Sequence, residues 1–458
     1  MTLSRTSSWW SMGDDGTFGL PGPEDIHRVE LPNGIVVLCR HHPHTASVVL
    51  RGTLFAGAYW DPLPKMGLAA FVASMLKRGT ARYTHREIYD LLESRGASLN
   101  FAAHFHTVGF GGQALAEDLP LLLELLAQAL RAPTFPEEEV EKRRDQILTS
   151  LDLQAQDPEA MAEKTFDAIL YRNHPYARPE EGFPETIRAI TREDLAAFHA
   201  RHYGPRHMML VVVGAVPPAQ VEDLARRYLE DWQAPGPPEL PALPPVEPLP
   251  DTVRRFVPLP DKSQADIVLG VVGPARKDPD YFPAMLGNSI LGRFGLMGRL
   301  GDVVREQAGL AYYVYSNLGA GLGPGPWEIH AGVAPENVPR AIELIVQEIR
   351  RFVQEPVTEE ELDDVKSGAL GRLPLSLETN AGVAAALLNM ELYDLGLDYL
   401  QRYPDLVRRV TREAILETAR RYWDPDRLAI AVAGPTFPGG DAWPQGAPTP
   451  EWFVKKTG

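Results

Sequence analysis

TREDLAAFHARHYGPRHMMLVVVG at residues 191–214 and TREAILETARRYWDPDRLAIAVAG at residues 411–434 are two versions of one pattern. In both, a Thr-Arg-Glu start favours an amphipathic helix, a proline precedes an apolar run, and a glycine ends that run. The Thr, the Pro and the Gly are each offset by 220 residues without a gap, which chance seldom produces. A helix-then-strand unit repeated in this way predicts an internal duplication of the chain.

A proline-rich stretch separates the two copies of this pattern. Residues 235–250 carry eight prolines in sixteen positions, so they favour a stiff, extended linker over a helix or a central strand. The sequence therefore predicts two halves of similar size. The predicted segments are an N-terminal tail at residues 1–25, a first half at 26–233, a linker at 234–250, a second half at 251–435 and a C-terminal tail at 436–458.

Each half has the same order of predicted elements, which is strands, a helix, strands, several helices and a final strand. In the first half, residues 46–55 are rich in Val and Leu and favour a strand, while residues 63–77 have the spacing of a helix. Residues 98–110 and 111–114 favour another pair of strands, and long helices are predicted at 119–130 and 136–153. This order indicates an α+β fold, in which each half is a mostly antiparallel sheet with helices packed on one face.

The composition limits the function. The chain has 458 residues, of which 44% are apolar and 23% are charged, so a disordered or fibrous protein is excluded. Its 45 Lys and Arg residues against 61 Asp and Glu residues give a net charge of −16. A general nucleic-acid binder needs clustered positive charge and is not expected. A basic partner or a basic peptide fits an acidic chain better.

Cysteine use and apolar segments indicate a compartment. Cys39 is the only cysteine, so an intrachain disulfide and a thiolate cage for a metal are excluded. Residues 1–16 lack the apolar run of a secretory signal, and no segment reaches the about 18 apolar residues of a membrane span. We expect a cytoplasmic protein with no membrane span.

Three short motifs follow one another in the first half. They are LPNG at residues 31–34, GLA at 67–69 and MLKRGT at 75–80. In this order they resemble the start of a pitrilysin/insulinase-family zinc peptidase, in the subgroup that contains mitochondrial processing peptidase. The similarity extends from His27 to Gly434, and internal duplication is itself a trait of that family. The resemblance implies that the two halves form a clamshell.

The family's metal motif is missing from this chain. Active members carry His-x-x-Glu-His after Gly-Leu-Ala, because residues at i and i+4 share one helix face and can both bind zinc, while the Glu acts as general base. At these positions the chain has Ala70, Ala73 and Ser74, and at the position of the family's third ligand it has Ser150. Methyl and hydroxymethyl groups do not hold zinc, so we expect no metal in this chain.

The second half retains a different motif of the family. Residues 305–312, REQAGLAY, resemble the family's substrate-binding Arg and Tyr, which are seven residues apart. The resemblance implies that Arg305 holds a substrate carbonyl in its guanidinium fork and that the Tyr312 phenol donates to the scissile carbonyl oxygen. From composition alone, the simpler interpretation is a helix-terminal cation and a packing residue of a strand.

Glycines recur every three residues just before this motif. Gly292, Gly295 and Gly298 resemble the family's glycine-rich loop, which implies a loop that contacts the substrate. The same glycines could instead permit tight packing. The stretch lacks the Lys-Ser/Thr pair of a phosphate-binding loop, so phosphate binding is not expected.

A chain with substrate-binding residues and no zinc site resembles the non-catalytic subunit of a heterodimeric zinc peptidase. The resemblance implies a homologous partner chain that carries His-x-x-Glu-His and the zinc ion, while this chain supplies Arg305 and Tyr312. It also implies peptide substrates. On its own, the chain is not expected to hydrolyse peptide bonds.

Two other functions are left open by the sequence. One is a structural scaffold of the same fold, which has no reason to keep Arg305 and Tyr312. The other is a homodimeric peptide-binding protein, which would bind peptides unaided. An independent hydrolase using Ser74 or Ser150 is not supported, because neither serine lies in a Gly-x-Ser-x-Gly elbow.

Overall fold

The computed structural model describes residues 19–236, 243–292, 298–446 and 448. Predictions made for residues 1–18, for linker residues 237–242, for Gly295 and for residues 447 and 449–458 of the C-terminal tail lie outside the described residues. The strands are β1 (His27–Glu30), β2 (Val36–His41), β3 (Ser47–Leu54), β4 (Ser98–Ala103), β5 (Val108–Leu115), β6 (Met209–Gly214), β7 (Val253–Pro258), β8 (Ala265–Val272), β9 (Ala311–Leu318), β10 (Pro326–Val333) and β11 (Ala429–Gly434). The helices are α1 (Leu68–Met75), α2 (His85–Glu93), α3 (Leu119–Arg131), α4 (Glu137–Gln154), α5 (Pro158–Leu170), α6 (Pro184–Ala189), α7 (Arg192–His202), α8 (Pro218–Ala225), α9 (Tyr281–Leu291), α10 (Val338–Gln354), α11 (Glu359–Ser376), α12 (Asn380–Leu392), α13 (Tyr399–Arg408) and α14 (Arg412–Tyr422). None of these helices is long and apolar enough to cross a membrane.

Two sheets of corresponding topology form the body of the molecule. The first has the strand order β1-β2-β6-β3-β5-β4, and the second has the order β7-β11-β8-β10-β9. Apart from the additional edge strand β1, each sheet begins with one parallel pair and continues with antiparallel pairs. The predicted α+β fold with two homologous halves is therefore confirmed.

The repeated Thr-Arg-Glu pattern has the same structural role in both halves. Thr191 and Thr411 cap α7 and α14, because each side chain accepts a hydrogen bond from the backbone N–H three residues later. Arg192 and Arg412 each donate from Nε to a backbone carbonyl just before α4 or α11, at 2.7 Å and 2.5 Å. The motif thus starts one helix and ties it to the beginning of another.

The glycines that end the repeated strands are required by close packing. Gly214 and Gly434 have φ angles of 152° and 145°, which side chains rarely permit. A Cβ at Gly214 would lie 2.4 Å from the Ser47 carbonyl oxygen, and one at Gly434 would lie 2.8 Å from that of Gln264. The same strand-end contact therefore recurs in each sheet.

Each sheet is covered on one face by its own helices and on the other by a helix from the opposite half. Helix α5 lies on β8 and β11 of the second sheet, where Phe166 is fully buried with Val268 and Ala431. Helix α12 lies on β3 and β6 of the first sheet, where Leu387 is buried with Val211. The halves thus exchange one helix each, a feature that the predicted single covered face did not include.

Candidate functional site

The four zinc-motif positions that the resemblance implies, three for ligands and one for the general base, lie on two packed helices, and we call them the vacated zinc positions. Ala70, Ala73 and Ser74 are on α1, and Ser150 is on α4, which packs against α1. Ala73 is buried, Ala70 and Ser74 are half-buried, and Ser150 is exposed. The Ser74 hydroxyl donates to the Phe71 carbonyl oxygen of its own helix at 2.8 Å. The four positions therefore lie on two helices of the first half that are in contact.

These residues do not fit a zinc ion. They offer methyl and hydroxyl groups, whereas zinc sites in proteins use imidazole, thiolate or carboxylate ligands. Across the described ranges, no group of three His, Cys, Asp or Glu side chains is arranged to hold a metal ion. The methyl group of Ala73, at the position of the family's general base, is packed into the core of the first half.

Helix α1 is nevertheless firmly placed. The buried Asp61 carboxylate accepts hydrogen bonds from the backbone N–H groups of Gly67 and Ala69, both at 2.8 Å. Gly67 has a φ angle of 92°, so a glycine is favoured directly before the helix. Burial raises the pKa of Asp61 to about 7, although both hydrogen bonds act in the opposite direction. The helix keeps a defined position while carrying no metal ligand.

Arg305 and Tyr312 are on neighbouring elements of the second half. Arg305 lies in a π-helical segment, Gly301–Gln307, and Tyr312 is the second residue of β9. The side chain of Arg305 is 37% exposed, and its Nε lies 3.6 Å from Glu306 Oε1. Tyr312 is 64% exposed. No hydrogen bond or ring contact joins Arg305 and Tyr312 in the described structure, and the exposed fractions leave part of each side chain accessible to another molecule.

Tyr312 is the extra residue of a β-bulge. Strands β9 and β10 pair in continuous register as far as Tyr313 opposite Gly332, but the next pair joins Ala311 to Val333. Tyr312 therefore has no partner on β10, and such bulges redirect a side chain out of the sheet pattern. Strand β9 is also the last strand of its sheet in the described chain. This exposure weighs against a role for Tyr312 in strand packing.

The two flanking glycines of the predicted loop touch each other. Gly292 ends α9 with a φ angle of 149°, and Gly298 has a φ angle of 132°. A Cβ at Gly298 would lie only 2.6 Å from Gly292 Cα. The close approach requires glycine at Gly298, which agrees with a packing role. The third glycine of the predicted loop, Gly295, lies outside the described residues.

A cavity of about 1360 Å³ lies between the two halves. One wall is formed by β3, β4 and β5, and the others by α5 with the segment that follows it, by the β9–β10 turn and by α12. Neither the four vacated zinc positions nor Arg305 and Tyr312 line this cavity. A single chain thus keeps these three features apart.

Strand β4 borders the cavity and ends the first sheet. Ser98, Asn100 and Ala102 of this strand line the cavity, and no described strand pairs with the outer edge of β4. A sheet edge with unpaired backbone N–H and C=O groups can bind an extended peptide as an additional strand. The geometry therefore offers a peptide both a cavity and a sheet edge.

The cavity wall carries several carboxyl groups, from Glu163 and Asp167 on α5 and from Glu180 and Glu181 in the following loop. Burial, together with nearby carboxylates such as Glu328, raises the pKa of Asp167 well above its usual range. Burial likewise raises the pKa of Glu180 to about 7. A cationic ligand would relieve this crowding of acidic groups.

This acidic wall was not among the sequence-based site predictions. A signal was present, because Glu159, Glu163 and Asp167 are spaced four residues apart and so share one face of α5. That face could not be assigned to a cavity from the sequence, since α5 packs on the sheet of the opposite half. The site therefore depends on the helix exchange.

Both halves of the chain match models of one protein family. Residues 36–182 match the model described as insulinase (peptidase family M16), and residues 189–369 match that of the peptidase M16 inactive domain. An uncharacterised zinc protease of Mycobacterium leprae is 27% identical over 90% of this chain and 92% of its own length. The mitochondrial-processing peptidase subunit beta of Neurospora crassa is 24% identical over 88% of this chain and 87% of its own length.

Solved structures agree with this assignment. A peptidase M16 inactive domain from Pseudomonas fluorescens superposes with a TM-score of 0.84 at 28% identity, covering 90% of this chain and 98% of its own. A protease from Helicobacter pylori shares the fold, with a TM-score of 0.82 at 20% identity over 91% of this chain and its own full length. The chain is therefore a member of the insulinase (M16) family of peptidases.

Proposed function

We propose that this chain is the non-catalytic, substrate-binding subunit of a heterodimeric zinc peptidase. The observation that carries the proposal is the exposed Tyr312 on a β-bulge, seven residues after Arg305, in a chain whose zinc positions hold only Ala and Ser. Relatives that are named zinc proteases support zinc-dependent hydrolysis of peptide bonds as the reaction of the pair. A relative named as a beta subunit supports an assembly of subunits.

In this proposal, a homologous partner chain with His-x-x-Glu-His holds the zinc ion, which supplies a Lewis acid there. The residues of this chain bind and orient the peptide. The phenol O–H of Tyr312 donates to the carbonyl oxygen on which negative charge develops. Arg305 holds a carbonyl of the same peptide in its guanidinium fork. The glycine-rich stretch around Gly292 and Gly298 is proposed to contact the substrate.

The acidic cavity wall supports the proposal that the substrate is a peptide with positively charged side chains. Glu163, Asp167, Glu180 and Glu181 line one wall, and Lys164 is paired with Glu181 at 2.9 Å. Lysine or arginine side chains of a substrate would provide counter-ions for the remaining carboxyl groups. The adjoining edge of β4 would bind the peptide backbone.

Replacing Tyr312 tests the proposed role. In the pair reconstituted with the zinc-motif homologue from the same source, Tyr312→Phe is expected to lower kcat about 10²-fold, as for the loss of one oxyanion donor, with little change in KM. Steady-state cleavage of a fluorogenic peptide measures both constants. Tyr315→Phe is a matched control, because it also removes a tyrosine hydroxyl from β9. That hydroxyl donates to Glu159 Oε1 at 3.3 Å.

The control variant is expected to keep kcat within about twofold of the wild type. Unchanged turnover in Tyr312→Phe would refute the assigned role and would favour a structural scaffold. An equal loss of kcat in both variants would indicate that the substitutions act by disturbing β9 and not by removing a hydrogen-bond donor to the substrate.

A further inference from the structure

Three cationic side chains lie beside the vacated zinc positions. Lys77 and Arg78 follow the end of α1, and Arg143 is on α4, two turns before Ser150. Arg78 has a carboxylate partner, Glu139, at 3.1 Å. Among the described residues, no carboxylate oxygen lies within 4.0 Å of a side-chain nitrogen of Lys77 or Arg143. Two half-buried charges therefore have no counter-ion in this part of the chain.

The contacts of these side chains bring like charges together. Gln146 Oε1 accepts from Arg78 Nη2 at 2.9 Å and from Arg143 Nη1 at 3.4 Å, so two guanidinium groups share one neutral acceptor. Arg143 Nε is buried without an acceptor among the described residues. Burial, followed by the charge of Arg78, lowers the pKa of both Lys77 and Arg143. We call Lys77, Arg78 and Arg143 the cationic patch.

The cationic patch adjoins the edge at which a peptide would bind. Lys77 Nζ donates to Oδ1 of Asn100, a residue of β4 that lines the cavity. Gln146 lies one turn from Ser150 on α4, so the patch lies near that position on the helix.

We propose that the cationic patch binds a carboxylate of the peptide that lies along β4, either an Asp or Glu side chain or the C-terminal carboxylate. The inference depends on the proposed function, because it needs a peptide at this edge. The carboxylate would accept hydrogen bonds from Lys77 and Arg143 and provide the missing counter-ion. With the acidic cavity wall, the patch selects peptides that carry both a basic segment and a carboxylate.

The stability of the ligand-free chain separates a binding role of Arg143 from a structural one. If Arg143 binds a ligand, Arg143→Gln removes an uncompensated charge beside Arg78, so Tm stays equal or rises. If Arg143 stabilises the fold, Tm falls. Lys142→Gln is the matched control, because Lys142 is adjacent in sequence and is paired with Glu138 at 2.7 Å. A clear fall in Tm for Arg143→Gln, larger than for the control, would overturn its assignment.

Peptide affinity tests the proposal directly. Fluorescence anisotropy with the full chain compares lysine-bearing peptides that contain Glu or Gln and end in a free or an amidated C-terminus. The Glu is placed in turn at four consecutive positions, so that different registers along β4 are sampled. We expect the carboxylate-bearing peptides to bind about fivefold more tightly than the neutral one. A preference for Glu identifies a side-chain carboxylate, and a preference for the free end identifies the terminal one.

The variants assign this preference to the cationic patch. Arg143→Gln and Lys77→Met are expected to reduce it to less than about twofold, while Lys142→Gln keeps it. Equal affinities for all peptides in the wild type would refute the inference and leave the proposed function standing. If Lys142→Gln also loses the preference, the preference comes from the overall charge of this surface and not from the cationic patch, which would refute the inference. Failure of every peptide to bind would refute the proposed function together with the inference.

Discussion

Glu180 and Glu181 are adjacent in sequence, yet their carboxyl groups have opposite electrostatic surroundings. Burial would raise the pKa of Glu181, but Lys164 at 2.9 Å and the Gln154 amide at 3.1 Å hold it below its usual range. Among the described residues, no cationic side chain forms an ion pair with Glu180, and burial followed by the nearby Glu181 charge raises its pKa to about 7. Glu180 is therefore a carboxyl group of the cavity that changes charge near neutral pH.

The pH dependence of peptide binding should follow this group. A cationic ligand favours the charged form of Glu180, so the affinity for a lysine-bearing peptide is expected to rise about fivefold as the pH increases through about 7. Glu180→Gln should reduce this rise, whereas Glu185→Gln, which removes another carboxyl group of the cavity lining, should keep it. Anisotropy titrations at several pH values measure the effect. A pH profile that is unchanged in Glu180→Gln would contradict the assignment.

At the scale of single residues, the sequence predicts which residues occupy the motif positions, but it does not predict how exposed their side chains are. Ala70, Ala73, Ser74 and Ser150 could be assigned to the zinc-motif positions because motif spacing on helices is a local property, and they lie on two helices that pack together. The exposure of Tyr312 could not be predicted, since it depends on a register shift between β9 and β10. Strand pairing of this kind is set by contacts across the sheet and leaves no mark in one strand's sequence.

At the scale of elements, the exchanged helices determine how the two halves depend on each other. Helix α5 covers β8 and β11, and α12 covers β3 and β6. If one half unfolds, the sheet of the other loses the helix that buries one of its apolar faces. Exposing that face costs free energy in proportion to its apolar area. The two sheets are therefore expected to unfold together.

Truncating the buried contacts of the exchanged helices tests this dependence. Phe166→Ala on α5 and Leu387→Ala on α12 should each lower the free energy of unfolding by about 3 to 5 kcal/mol, because both side chains are fully buried. Leu153→Ala, at a side chain that is 66% exposed, should change it by less than about 0.5 kcal/mol. Urea denaturation measures the free energy of unfolding, and hydrogen exchange of the backbone amides of β3 and β8 at each urea concentration gives a separate unfolding midpoint for each sheet. Separate midpoints for the two strands would show that the halves fold independently.

The elements themselves were predicted more completely than their packing. The helix predicted at residues 119–130 is observed as Leu119–Arg131, and the strand predicted at 46–55 as Ser47–Leu54. The helix predicted at 63–77 is shorter, Leu68–Met75, because Gly67 adopts a positive φ angle directly before it. Periodicity shows which residues are buried, but it does not show that α5 and α12 are buried on the opposite half's sheet.

At the scale of the whole molecule, the functional features are divided between separate surfaces. The vacated zinc positions and the cationic patch are in the first half, while Arg305 and Tyr312 are on an edge strand of the second. The acidic cavity lies between the halves, and it is lined by none of the vacated zinc positions, the residues of the cationic patch, Arg305 or Tyr312. Such an arrangement supports a site completed by a second chain, in which this chain binds the peptide and the partner performs the chemistry.

The most direct test of this account measures peptidase activity and zinc content together. The samples are this chain, its zinc-motif homologue from the same source, and their purified complex. We predict that only the complex cleaves peptides efficiently, with one zinc ion per pair, and that this chain alone binds no zinc at the vacated positions. Activity with stoichiometric zinc in this chain alone would contradict the account, and so would a stable complex whose activity does not exceed that of the homologue alone.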